Sequence, residues 1–244
     1  YANSAALAAA GIDRDTPDIE HSPYGRHPDG TPDGVLIGQG AMLSVMAHNP
    51  GLVGLDLVEQ ARAVARRAAS VGVTTICDQG TGFLLGPGDV ELYRTMAEDD
   101  QLATRLRYSV HDSRSEVFDD AGIGPGDGDS LIRATGWKIV ADGSNQGRTG
   151  HLREPYLDTT ERGLPYVEPE QLIETARHRA EQGWQLVIHA NGDRAIDDTL
   201  DALTQAVDAG TAAGHVDRRH RIEHCSLLHD EHIPRIAELG LSPS

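Results

Sequence analysis

The stretch Trp184-Gln185-Leu186-Val187-Ile188-His189-Ala190 is a nearly unbroken apolar run of strand length, and its flanks show how it is used. Before it, Pro169 suits the first turn of a helix that carries Leu172, Ile173, Ala176 and Ala180 at helical spacing and stops at Gly183. After it, Asp193 suits a helix start, and Ile196, Leu200, Leu203 and Val207 keep the helical period up to Gly210, ahead of another strand over 219–225. A strand that lacks polar alternation is buried on both faces, which marks a parallel sheet covered by helices. Working outward, the same unit recurs. Val58, Ala61, Ala65 and Ala68 precede Val73-Thr74-Thr75-Ile76-Cys77, while Val90, Tyr93, Met96 and Ala97 precede a strand over 105–111. A strand over 137–141 follows a flexible glycine-rich loop at 122–128, Ile233, Ile236 and Ala237 make a last helix, and Leu241 opens one more strand. The fold class is therefore α/β, either doubly wound or a barrel, with five strands and the start of a sixth. A closed (β/α)8 barrel has eight strands in roughly 250 residues. Residues 1–50, with turn signals over 28–34, read as an irregular segment, and 51–244 as the α/β domain.

Composition narrows the partners. The 244 residues carry a formal net charge of -17, which argues against nucleic acid and against anionic membrane surfaces. With 2 Trp, 6 Tyr and 2 Phe, the core is expected to consist mainly of Ala, Val, Leu and Ile. No apolar run approaches the roughly 20 residues that span a bilayer. Cys77 and Cys225 lie in strand-like runs and read as small buried hydrophobes of a reducing compartment. The cytoplasm is the expected location, with an upstream signal peptide left open. The chain opens at Tyr1 and stops at Ser244 inside a strand pattern, so a fragment of a longer protein is expected.

In parallel α/β proteins the chemistry gathers at the C-terminal ends of the strands. Three candidate strands carry polar groups there: Lys138 within Trp137-Lys138-Ile139-Val140-Ala141, His189 within the stretch quoted first, and His224 within Arg221-Ile222-Glu223-His224-Cys225. Singly, each reads as a satisfied core or edge residue. Together, 51 and 35 residues apart on consecutive strands, they point to one metal site, because imidazole nitrogen suits zinc and similar ions. His229 and His232, three apart at a helix start, read as surface residues.

At this point the sequence resembles the amidohydrolase superfamily, and within it amidohydrolase family 3, the N-substituted formamide deformylase-like branch. The resemblance rests on Asn3-Ser4-Ala5-Ala6-Leu7 with Gly11-Ile12, Asp29-Gly30, Gly34-Val35-Leu36, Gly72-Val73-Thr74-Thr75 and Lys138 with Asp142-Gly143-Ser144. It continues through Arg148-Thr149-Gly150 with Glu154-Pro155-Tyr156, His189-Ala190 with Gly192-Asp193-Arg194-Ala195, and Arg219-His220-Arg221-Ile222-Glu223-His224, so it spans nearly the whole chain. It implies a metal-dependent-hydrolase (β/α)8 TIM barrel, incomplete here, with strands 2 to 7 of eight visible. It also implies a side-chain carboxylated Lys138 bridging two metals, His189 and His224 as ligands of the second, and zinc, one or two ions, as cofactor. The family's first-strand His-x-His pair and last-strand aspartate are absent from these residues. His111, Asp142, Arg148 and Tyr156 are expected as substrate-binding residues, His111 with a structural alternative, and the loop over 144–156 is expected to overhang the substrate. The expected reaction is hydrolysis of a non-peptide carbon-nitrogen bond in a small amide by metal-activated hydroxide. The alternatives are a catalytically inactive, metal-free binding or scaffold barrel, and a single-metal barrel hydrolase of a cyclic amide or ester. The segment alone is expected to be inactive, and a homodimer is admitted.

Overall fold

The computed structural model describes every residue except 21, 50, 52–54, 84, 99 and 100. The boundary expected at Pro50 lies outside the described residues. The chain divides into two units, Tyr1–Asp56 and Leu57–Ser244.

The first unit is more regular than its turn-rich sequence suggests. Helix α1 (Ser4–Ala9) is capped by Asn3, whose side-chain oxygen accepts the Ala6 N–H at 2.9 Å. Strands β1 (Tyr24–Arg26) and β2 (Pro32–Leu36) form an antiparallel ribbon, and helix α2 (Gly38–Met46) follows. Leu7, Ile12, Tyr24 and Ala41 make its small core. The Arg26 guanidinium replaces regular secondary structure elsewhere by donating to the carbonyls of Asp13, Arg14, Thr16 and Gly30.

The second unit alternates helix and strand: α3 (Leu57–Ser70), β3 (Thr75–Thr81), α4 (Gly88–Ala97), β4 (Arg105–His111), α5 (Ser115–Asp120), β5 (Ile132–Val140), α6 (Pro169–Glu181), β6 (Gln185–Ala190), α7 (Asp193–Ala212), β7 (Arg221–His224), α8 (His232–Glu238) and β8 (Ser242–Pro243). The six strands pair in chain order, all parallel, into a curled half barrel. Its main core lies between sheet and helices, where Leu106, Tyr108, Val110, Trp137, Ile139, Leu186, Ile188 and Ile222 meet Leu172, Ala176, Ile196, Leu200 and Leu203. Alternate residues of the same strands, among them Arg107, Lys138, His189 and Glu223, therefore face the concave side. Among the described residues no helix is long and apolar enough to cross a membrane.

Two expectations are corrected here. Cys77 is exposed and Cys225 only half-buried, because Cys77 pairs with Arg107 on the concave side, away from the helices. The glycine-rich segment 122–128 is bonded to β5: Gly126 N–H donates to Ala134 C=O at 3.0 Å and Ala134 N–H to Asp127 C=O at 2.8 Å.

His220 joins the N-terminal ends of the last strands and makes the fold acid-sensitive. It is 5% exposed, its Nδ1 accepts the Leu186 N–H at 2.9 Å, and its carbonyl accepts the Ser242 N–H. Burial, reinforced by Arg218, lowers its pKa from 6.5 to about 4. Above pH 6.5 the folded and unfolded chains both carry a neutral imidazole, so the shift has no effect. Between 6.5 and 4 only the unfolded chain gains a proton, and stability falls with pH, by about 2 kcal/mol from pH 7 to pH 5. Urea unfolding of His220→Asn is expected to lose that much less over the same interval; equal losses in variant and wild type would contradict the assignment.

Candidate metal centre

Strand register brings the polar strand ends together. His111 pairs with Lys138, Val140 with His189, and Ala190 with His224. Lys138 is 7% exposed and, among the described residues, has no hydrogen-bond or ion-pair partner. Burial pushes its pKa down to about 8 against the opposing pull of Glu223, so a substantial neutral fraction exists near neutral pH. Lys138 is also the only lysine among 21 basic residues, a signal that strand periodicity alone does not register.

His189 is half-buried, and burial holds its pKa at about 4, so the ring is neutral at pH 7. Its Nε2 lies 2.9 Å from the Gly143 carbonyl oxygen. That oxygen only accepts, so this bond forms in the tautomer with the hydrogen on Nε2, which leaves the lone pair on Nδ1. A ligating histidine commonly has this arrangement, one nitrogen for the metal and the other donating to a backbone carbonyl.

His224 reaches the site by breaking strand alternation. Its neighbour Ile222 faces the helices, so a continued strand would turn His224 the same way. Instead His224 and Cys225 take left-handed φ values of 72° and 43°. The exposed His224 ring then meets His189 edge to face, with centroids 4.5 Å apart. Two consecutive non-glycine residues in this region store strain that surrounding contacts must hold.

The donor set fits a divalent metal, with two imidazoles meeting near a buried lysine that gives up its proton more readily than a free one. Among the described residues no three His, Cys, Asp or Glu side chains form a metal-holding group.

Asp142 is fully buried, and its carboxylate accepts backbone N–H groups from Asn191 at 2.9 Å, Gly192 at 2.8 Å and His151 at 2.9 Å. Burial nevertheless pushes its pKa up. It thus ties the segment after β5 to the turn before α7. Only glycine fits at 192, since a Cβ there would lie 2.0 Å from the His151 carbonyl oxygen. His111 is buried beside Lys138, its Nδ1 2.9 Å from the Ser113 hydroxyl and its ring 5.5 Å from Phe83. Tyr156 donates its hydroxyl to Gly150 C=O at 2.8 Å within the 144–168 loop, and Arg148 stands exposed with φ 53°. The structure therefore gathers Lys138, His111, His189 and His224, while Asp142 and Tyr156 are occupied with backbone partners.

The 144–168 loop is fastened by Arg153, which pairs with Asp197 and Glu231, each at 2.6 Å. His232 joins this cluster, its Nε2 3.0 Å from Asp197, and is 1% exposed. It is therefore not the surface residue expected from sequence: Asp197 and Arg153, 35 and 79 residues away, supply the partners that allow its burial.

The profile of the amidohydrolase family matches residues 1–244. The chain belongs to the amidohydrolase family. Among curated relatives of this amidohydrolase-family chain, the putative amidohydrolase YtcJ of Bacillus subtilis (strain 168) is 28% identical over 248 residues, covering 98% of this chain and 44% of that protein. Protein LONG AFTER FAR-RED 3 of Arabidopsis thaliana is 31% identical over 258 residues, covering 100% and 42%. The chain thus spans less than half the length of these two relatives. An uncharacterized metal-dependent hydrolase from Pyrococcus furiosus superposes with TM-score 0.68 at 22% identity, over 99% of this chain and 46% of that one. One from Pyrococcus horikoshii OT3 superposes with TM-score 0.69 at 21% identity, over 99% and 45%. At this identity the likeness concerns the fold. It supports reading the six-stranded sheet as part of a TIM barrel of the metal-dependent hydrolase type.

Sequence reasoning did not single out Asn191, whose amide lies between the two histidine strands, or the Gly143 carbonyl. Neither residue type advertises a role when its neighbours in space are unknown.

Proposed function

We propose that this chain forms part of the catalytic barrel of a metal-dependent hydrolase that cleaves a non-peptide carbon-nitrogen bond in a small amide, such as an N-substituted formamide. The observation that carries the reading is the His189–His224 pair at adjacent strand ends beside the buried Lys138, which among the described residues has no hydrogen-bond or ion-pair partner. Lys138, His189 and His224 would hold the ion, most simply zinc, and His111, beside Lys138, is the nearest candidate to contact substrate. A divalent ion held there supplies a Lewis acid that polarises the substrate carbonyl and acidifies a water.

This chain's own groups prepare the site. The neutral Lys138 amine attacks carbon dioxide, forming an N–C bond and releasing a proton to solvent, and the resulting carbamate presents anionic oxygens. That change turns a buried amine into a ligand with anionic oxygen acceptors. His189 presents Nδ1 because its Nε2–H is held by Gly143. The loop fastened by Arg153 and Asp142 rises from the end of β5, the strand that carries Lys138, and would restrict water around a bound amide. The net charge of -17 supports a neutral or cationic small molecule over nucleic acid.

The test is metal analysis of the full-length protein together with turnover of N-substituted formamides before and after chelation. One or two zinc ions per chain, with activity lost on chelation and regained with zinc, is the expected result. A fully active protein that holds no divalent ion would overturn the reading.

A further inference from the structure

Asn191 lies one residue past β6, is 8% exposed, and has its hydrogen-bonding groups divided between two neighbouring strand ends. Toward β5, its Nδ2 donates to Gly143 C=O at 2.8 Å, the oxygen that also receives the His189 Nε2–H, and its own N–H donates to Asp142 at 2.9 Å. Toward β7, its Oδ1 accepts the Ser226 hydroxyl at 2.6 Å and its carbonyl accepts the Leu227 N–H at 3.0 Å. With the His229–Asp193 contact at 3.1 Å, these last two bonds join the segment after His224 to the end of β6.

We propose that Asn191 is the positioning residue of the histidine pair, one amide that holds both the carbonyl orienting His189 and the left-handed turn presenting His224. The proposal rests on the reading of these histidines as ligands and adds the residue that aligns them. The first half follows from the Gly143 oxygen. It accepts from two donors, and the Asn191 bond keeps it aimed at His189 Nε2; Asn191 Nδ2, 3.0 Å from that nitrogen, shares the Gly143 oxygen with the ring instead of donating to it. Without the amide, the carbonyl can turn away, and the Nε2–H tautomer of His189 loses its advantage over the Nδ1–H form. The second half follows from the strain at 224–225. Positive φ values at two consecutive non-glycine residues persist only while outside contacts hold them, and Asn191 supplies two such contacts within three residues of His224. Both effects act on geometry two bonds away from any ion, where losses of about 10–100-fold in metal affinity are typical.

The test uses the full-length protein and two readouts, the His189 tautomer from nitrogen-15 NMR of metal-free protein, and zinc affinity from competition with a chelating dye. Wild type is expected to show a single Nε2–H tautomer at His189. Asn191→Ala is expected to show mixed tautomers and an affinity loss of about 10–100-fold. Ser226→Ala, which touches only the turn, is expected to keep the wild-type tautomer with a smaller loss. Should Asn191→Ala fail to fold, Asn191→Asp is read instead. It keeps the acceptor for Ser226 but sets a second oxygen against Gly143 C=O, so the tautomer and affinity are both expected to change. Wild-type tautomer and affinity in the folded variant overturn the proposal. A wild-type protein that binds no zinc sinks the metal reading, and the tautomer, measured without metal, still decides the role of Asn191.

Discussion

Lys138→Ala in the full-length protein is expected to lose bound metal and turnover together, with metal affinity falling by more than the roughly 100-fold typical of a residue that only supports a ligand. Lys138→Arg is expected to fail almost as badly, although it preserves the charge. A guanidinium has no lone pair with which to take up carbon dioxide and offers only donors, so it cannot become an anionic oxygen ligand. An arginine in that buried, partnerless position would also carry a permanent charge where lysine is eased toward neutrality, its pKa already pushed down to about 8 by burial. A short carboxylic acid added to Lys138→Ala is expected to restore part of both quantities by supplying the missing oxygens. Metal content per chain measured beside turnover decides the matter. Normal values of both in the arginine variant would rule out the carboxylated-lysine mechanism.

Trp137→Ala is expected to cost about 4–5 kcal/mol, at the upper end for removal of a buried aromatic ring, and to lower Tm by on the order of 10 °C. Trp137 is fully buried next to Lys138 in β5, with its ring 5.4 Å from Trp184 and the Arg179 guanidinium 3.6 Å from its centroid. Its Nε1–H donates to Asp112 at 2.7 Å, and Arg179 is held in place by two 2.7 Å bonds to Asp119. Truncation therefore does three things at once. It leaves a cavity between α6 and the sheet, removes the face on which a buried cation stacks, and strands a carboxyl whose pKa burial already pushes up. Trp137→Phe keeps most of the volume and is expected to cost about 1–3 kcal/mol, chiefly through the orphaned Asp112. Thermal melts of the two variants separate these contributions. A Trp137→Ala melt within a few degrees of wild type would show that the layer repacks freely.

The order of elements in the second unit was legible from local chemistry. Near-continuous apolar runs such as 184–190, bounded by Gly183 and by a helix beginning at Asp193, leave few choices but buried parallel strands, and all six observed strands pair in chain order. The first fifty residues were less legible, because Gly, Pro and Asp signal turns whether or not short helices stand between them. There Arg26 and Asn3 supply, from single side chains, the hydrogen bonds that organise α1 and the ribbon.

Sequence by itself nominated the residues proposed to do chemistry, a lysine inside a strand and histidines at the ends of the next two, from the strand pattern and the parallel order of the sheet. It could not determine where the end groups point. His224 turns toward His189 only because φ becomes positive where β7 stops, and that choice depends on Asn191, 33 positions earlier in the chain. The same applies to Asp142, whose oxygens are filled by backbone N–H groups from two other segments, and to His232, buried because Asp197 and Arg153 meet it. Strand and helix periods are local properties of a chain. The direction of a side chain at a strand end, and whether its polar atoms are already satisfied, depend on which distant segments fold over it, and only the tertiary structure contains that information.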